Sequence, residues 1–210
     1  MNARITLVES ISPPIVAKRF SFADGVLKKE SVANIFEGKA WSKAADDAES
    51  FAAILRQCAE RSNCCLIPGS FASDDAPGKT FALVTEKALA QALKKNIGDA
   101  ALAGLHEVGR ERWAARLKRS ISLSVWLLLD ADDPEGMPEE MRRLDLCQRL
   151  AAFEALLPGI SRAERVVSRS SSFRVRHMDE TPRRHGHAWL RVSDPTKIEM
   201  LRLHFTMAAV

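Results

Sequence analysis

At 210 residues, 46% hydrophobic and 28% charged, the chain has the composition of a globular protein, long enough for one large domain or two small ones, which excludes a disordered or low-complexity chain. A formal net charge of +4 permits a polyanionic partner without requiring one. No stretch reaches the ~18 apolar residues of a membrane span. The N-terminus, with Glu9 and two early prolines, lacks a signal-peptide pattern, so a cytoplasmic protein with no membrane partner is expected.

In chain order, residues 4 to 8 read as a first short strand, and Lys18 to Phe22 and Val26 to Lys29 as a hairpin turning on Asp24-Gly25. Ser42 is a candidate cap for a helix to about Arg61, with Phe51, Ile54, Leu55 and Cys58 at helical spacing. Cys64 to Ile67 reads as a strand stopped by Pro68-Gly69, Ser70 to Lys79 as a loop, and Phe81 to Val84 as another strand. Thr85 is placed to cap a helix in which Leu89 and Leu93 share a face. Residues 100 to 119 are ambiguous, part helix and part basic connector. Cys58, Cys64, Cys65 and Cys147 have neither C-x-x-C spacing nor paired histidines nearby. They read as small buried hydrophobes in a reducing compartment rather than as zinc ligands or a disulfide framework.

The stretch that organises the rest is Val125 to Asp133, where five apolar residues end in Asp130, Asp132 and Asp133. So short an apolar run between Ser124 and Pro134 suits a strand covered on both faces. Period-two alternation places Asp130 and Asp132 on one face, roughly 6 to 7 Å apart. Two ionised carboxylates so placed repel unless a cation lies between them, and oxygen ligation favours Mg²⁺ or Mn²⁺ over zinc. The alternative is a strand end whose acids turn the chain and cap the next helix.

Beyond the acids, Pro138, Glu139 and Glu140 suit a helix start, and Leu146, Leu150, Phe153 and Leu157 recur along one face until Pro158-Gly159. Glu164 to Ser168 reads as a strand and His187 to Val192 as a second, with Asp194-Pro195 capping a last helix that includes Ile198, Leu201 and Phe205. Strand, helix, strand order around the acids argues for an α/β layer. Between residues 162 and 191 eight arginines face three carboxylates. Their planar forks match phosphate, and a solvated face is the competing reading.

Acids at a strand end, a helix closed by Leu-Pro-Gly, a serine triplet among arginines, and Gly186-His187-Ala188-Trp189 entering a strand follow one another in a set order. In that order the chain resembles the catalytic part of the archaeo-eukaryotic primase superfamily, in its plasmid and phage primase-polymerase branch. The hallmarks are a hydrophobic-D-x-D motif, here Leu129-Asp130-Ala131-Asp132, then a Ser-containing strand, here Ser170 to Ser172, then a G-x-H or G-H motif leading an aromatic strand. Lys18-Arg19-Phe20, Asp24-Gly25 and Ile67-Pro68-Gly69 are similar to the small α/β module that precedes this core.

The resemblance implies an RRM-like sheet with helices, residues 99–210, fused to an N-terminal α/β module, residues 1–98, the two packing as one catalytic unit. It implies metal-dependent nucleotidyl transfer that makes primers on a single-stranded DNA template. Asp130 and Asp132 would be catalytic and hold Mg²⁺ or Mn²⁺. Ser170, Ser171, Ser172, Arg174, Arg176 and His187 would bind the nucleoside triphosphate, and Arg169, Arg183 and Arg184 the DNA. A Ser-rich strand and a His strand are expected to flank the acid strand, and a replicative helicase is an expected partner. The family's third motif is a further carboxylate on a later strand. Asp194 comes too early for it, so it is expected beyond Val210.

Two other functions compete. Paired histidines, here His185 and His187, are the metal site of rolling-circle endonucleases, but their tyrosine nucleophile has no counterpart in a chain without tyrosine. A non-catalytic nucleic-acid-binding replication domain would explain the arginines and Trp189 but leave Asp130 and Asp132 without purpose.

Overall fold

The computed structural model describes residues 3–16, 18–31, 35–74, 76–96, 100–131, 138–155, 157–169, 186–198 and 200. In chain order the strands and helices are β1 (Arg4–Ser12), β2 (Lys18–Ala23), β3 (Val26–Ser31), β4 (Glu37–Ala44), α1 (Ala48–Ala59), β5 (Cys64–Ile67), β6 (Gly69–Phe71), β7 (Phe81–Val84), α2 (Glu86–Leu93), β8 (Leu105–Val108), β9 (Glu111–Ala115), β10 (Ile121–Leu123), β11 (Trp126–Ala131), α3 (Glu139–Arg143), α4 (Leu146–Ala152), β12 (Arg165–Arg169) and β13 (Gly186–Arg191). The protein is mixed α/β. No helix among the described residues is long and apolar enough to cross a membrane.

The chain divides into two units, Met1–Arg19 with Glu30–Ser124, and Phe20–Lys29 with Val125–Val210. In the first, six strands form one sheet in the order β5-β1-β4-β7-β9-β8. All its pairings are antiparallel except β7 with β9, and that parallel pair is connected through α2, the crossover that parallel neighbours require. One face buries Val8, Ala40, Phe71, Phe81, Leu83 and Ala114, with the Phe71 and Phe81 rings edge to face at 5.2 Å between centroids. α1 packs on β5 and buries Phe51 and Ile54, while Leu89 and Ala90 of α2 join Val84, Leu102 and Ala115 in a separate cluster. Thr85 caps α2 as expected, its hydroxyl oxygen accepting from the Ala88 N–H.

Several expectations are corrected here. Ser42 is not a helix cap but a buried residue of β4, and α1 starts at Asp47, which shares a capping box with Ser50. Residues 105 to 123 supply three strands rather than a connector, and the expected loop after Pro68 begins with β6, which pairs with β10. The division expected between residues 98 and 99 therefore falls inside the first unit, because β8 and β9 complete its sheet. The cysteines are half-buried in three cases, and Cys147 is exposed.

The second unit contains the hairpin β2–β3, whose turn residues Asp24 (φ 55°) and Gly25 (φ 74°) both take the left-handed conformation that matches strand twist. Its main sheet has the order β11-β13-β12, both pairings antiparallel. One face is covered by α4, where Leu146, Leu150 and Ile160 pack with Ala188 and Leu190. The single helix expected from Pro138 to Leu157 is broken at Leu144. Asp145 begins a second helix by a capping box with Gln148, and buried Arg149 donates to the carbonyls of Arg142 and Leu144 at the end of the first, each at 3.2 Å.

Candidate active site

Antiparallel register places Asp130 of β11 opposite His187 of β13, and His187 opposite Ser168 of β12. Residues directly opposite share a face, so carboxylate, imidazole and hydroxyl form one row across three strands. The acid strand was expected in the middle, flanked by the other two. Instead the His strand is central and the acids lie at one side of it. Asp130 Oδ1 lies 3.4 Å from His187 Nε2, with the carboxylate about half exposed and the imidazole 29% exposed. An ion pair this open contributes about 0 to 1 kcal/mol to folding, so its geometry matters more than its stability.

The row stands on the face away from α4. Ala188 and Leu190, out of phase with His187, are buried against the helix, whereas Leu128, in phase with Asp130, is 37% exposed. The acid strand is thus open on this face at its Asp130 end, whereas Trp126, on the same face at its start, is 1% exposed, so there it is covered on both. Beside the polar row the same face carries the exposed Leu128, the half-buried Val166 and the buried Trp189, which is 6% exposed. Gly186 is buried where β13 enters. A Cβ there would stand 3.0 Å from both the Ser168 carbonyl oxygen and Leu146 Cδ2, so glycine lets β13 lie close to β12 and α4 just before His187.

With Nε2 turned to the carboxylate, a protonated His187 keeps Nδ1–H to donate to an anion such as a phosphate oxygen. The orientation does not suit a nucleophilic serine: the nitrogen that would activate a hydroxyl faces Asp130, and no hydrogen bond joins Ser168 to His187 among the described residues. Cysteine nucleophiles are no better placed. Burial, with Cys64 and Cys65 nearby, pushes the Cys58 thiol up to about 11, and burial also raises Cys64 and Cys65.

Asp132, Ser170, Ser171, Ser172, Arg174, Arg176, Arg183 and Arg184 lie outside the described residues. Arg169 is described, but it is out of phase with Ser168 and so on the opposite face from Asp130 and His187. Arg191 pairs with Glu164 at 2.8 Å and Arg165 donates to the Ser161 carbonyl, so part of the arginine run has local work. Asp194 caps the turn at 195–197, accepting from the Thr196 hydroxyl at 2.6 Å and its N–H at 3.0 Å; these bonds hold its carboxyl below the usual range.

As a cation site, the described residues offer one solvent-facing carboxylate and an imidazole, and no group of three or more acidic, histidine or cysteine side chains. An oxygen-ligated divalent ion needs more donors, and Asp132 is the residue whose spacing would add one. Ser168 was missed by the sequence reading, which named Ser170 to Ser172; only the β12–β13 register reveals it. Comparison with family models, curated proteins and solved structures finds no match for this chain.

Proposed function

We propose that the chain is a template-directed nucleotidyltransferase of the primase-polymerase kind, making primers on single-stranded DNA from nucleoside triphosphates, with the second unit as its nucleotide-binding core. The observation that carries this reading is the pairing of Asp130 with His187: two motifs far apart in the sequence meet at 3.4 Å on one face of one sheet. Asp130 and Asp132 would hold Mg²⁺ or Mn²⁺, which when bound neutralises triphosphate charge and positions the primer hydroxyl. Asp130 also orients the imidazole. His187 donates through Nδ1 to a phosphate oxygen, Ser168 offers a hydroxyl beside it, and the exposed Leu128 gives the base or sugar an apolar surface. Ser170 to Ser172, Arg174 and Arg176 complete the phosphate grip in this reading, and Arg183 and Arg184 contact the template. The second unit, three strands on a helix, is then a reduced RRM-like core, and a replicative helicase a natural partner.

The test is calorimetric titration of the whole chain with Mn²⁺ and with a nucleoside triphosphate. Asp130→Ala should abolish the Mn²⁺ signal. His187→Ala should weaken triphosphate binding by about 10- to 150-fold, the loss of one hydrogen bond to a charged group, with Mn²⁺ binding nearly intact. Unchanged isotherms in both variants, with folding intact, would remove the basis of the proposal.

A further inference from the structure

Three of the four cysteines fall within eight residues, in α1 and β5 at one edge of the first unit's sheet, and the proposed activity uses none of them. Two of the three share one face. Successive side chains of β5 alternate, so Cys64 and Cys65 point to opposite sides. Cys65 packs with Val8 in the cluster of Phe71 and Phe81, whereas Cys64 stands opposite Glu9, on the other side with Leu7 and Leu66. α1 lies on that second side: its Gln57 accepts from Lys43 Nζ at 2.6 Å, and Lys43 is opposite Ile5, in phase with Leu7 and Glu9. Cys58 continues the α1 stripe of Phe51 and Ile54 at spacings of three and four, so its thiol is on the side of the helix turned to the sheet. Thiols that face each other across a helix-on-sheet contact converge, as a disulfide requires, whereas Cys64 and Cys65 diverge.

The chain between Cys58 and Cys64 is short and tightly bonded. The Arg61 N–H donates to the Cys58 carbonyl and the Cys64 N–H to the Arg61 carbonyl, each at 3.2 Å, so two successive turns carry α1 back onto β5. Both thiols are half-buried. Burial raises the Cys58 thiol most, and the nearby Cys64 adds to it, as closely set thiolates repel. Burial also raises Cys64, while the Arg61 guanidinium hydrogen-bonded to it pulls the other way. The same turn anchors another segment. The Asn63 carbonyl accepts from the Ser10 N–H at 2.8 Å and the Ser62 carbonyl from the Val16 N–H at 2.9 Å, holding the stretch that leads from the first unit to β2.

We infer that Cys58 and Cys64 are a redox-sensitive dithiol, which a peroxide closes into a disulfide that ties the end of α1 to the start of β5 and so fixes the turn holding residues 10 to 16. The Cys64 thiolate, with Arg61 beside it, attacks one peroxide oxygen; the O–O bond breaks, water leaves, and a sulfenic acid remains. The Cys58 sulfur then attacks the Cys64 sulfur, the S–O bond breaks, and the departing hydroxide takes the Cys58 proton as a second water. Two thiols and one peroxide become one disulfide and two waters, the thiols losing two electrons. Burial makes both sulfurs slow nucleophiles, which suits a pair that responds to accumulated oxidant and not one that turns over a substrate. The inference is independent of the function proposed above.

The test treats the whole folded chain with hydrogen peroxide, removes the excess, and counts free thiols in denaturant. The count should fall from four to two, and dithiothreitol should restore it. Intact mass should show a monomer lighter by two hydrogens, and peptide mapping should find Cys58 joined to Cys64. A Cys65→Ser, Cys147→Ser variant, which keeps only the pair, should go from two thiols to none with the wild-type time course, and Cys64→Ser should form no intramolecular disulfide. Amide hydrogen exchange at Ser10 and Val16 should be slower in the oxidised protein than in the reduced one, because the turn that holds them is cross-linked. The proposal is overturned if the protein keeps four thiols while glutathione in the same solution is fully oxidised, or if the thiols are lost to irreversible oxygenation of single sulfurs. It is equally overturned if the bond joins Cys64 to Cys65 or links two chains, or if exchange at Ser10 and Val16 does not change.

Discussion

Glu154 shows how much a single half-buried side chain can organise. Its two carboxylate oxygens accept from the backbone N–H groups of Ser161, at 2.9 Å, and Gly159, at 2.6 Å, so one residue closes the turn that brings the chain from α4 to β12. Those bonds hold its carboxyl at about 2, against an ordinary value of 4.5. A carboxyl whose folded value is depressed contributes stability that is fully present above the unfolded value and disappears as pH falls through the folded one. Stability should therefore decline as pH drops from about 4.5 to about 2, and Glu154→Gln should remove that part of the decline. Thermal unfolding midpoints across this range provide the check, and equal slopes in both proteins would contradict it. At the same scale, Asp130 and His187 were legible because each stands in a short pattern with a chemical reason. Ser168 was not. Nothing within its own segment distinguishes it from Ser170, and what does, the register with His187, is set by a strand elsewhere in the sequence.

Among the elements, β13 bears the heaviest demands, since it must lie between two strands and against α4 while presenting His187 on the other face. Gly186 makes the entry possible. Gly186→Ala puts a methyl group 3.0 Å from the backbone oxygen of Ser168, which cannot rotate away as a side chain can, and should cost roughly 1 to 3 kcal/mol. A urea midpoint at or above that of the wild type would show that the sheet absorbs the methyl. The strands the sequence concealed share a physical reason for it. In β4 the buried positions are Gly38, Ala40 and Ser42, while the large Trp41 on the opposite face is only half-buried, so the period-two pattern reads inverted. β8 and β9 are short, with Glu107, Glu111 and Arg112 interrupting any apolar alternation, and β6 and β10 have three residues each, too few for any period to register. The break at Leu144 leaves no mark on the apolar stripe, which begins at Leu146 beyond it, although Asp145 and Gln148 spell a capping box.

For the whole molecule, the division after Ser124 has a direct experimental meaning. A fragment of residues 1–98 would lack β8 and β9 and leave β7 with unpaired backbone groups beside Leu83 and Val84. Such an edge recruits other chains. Expressed alone, residues 1–98 should aggregate or elute as higher oligomers, whereas residues 1–124 should remain monomeric at the same concentration; a monomeric, cooperatively melting 1–98 fragment would place the boundary where the sequence suggested it. The second unit is discontinuous, with its hairpin at residues 20–29 and its remaining residues after 124. During synthesis the order of events follows from that. The hairpin leaves the ribosome about a hundred residues before the rest of its unit exists, a delay of roughly 5 to 20 s at ordinary elongation rates. Through that interval every strand of the six-stranded sheet becomes available, so one half of the protein can finish folding while the other still holds only its first ten residues.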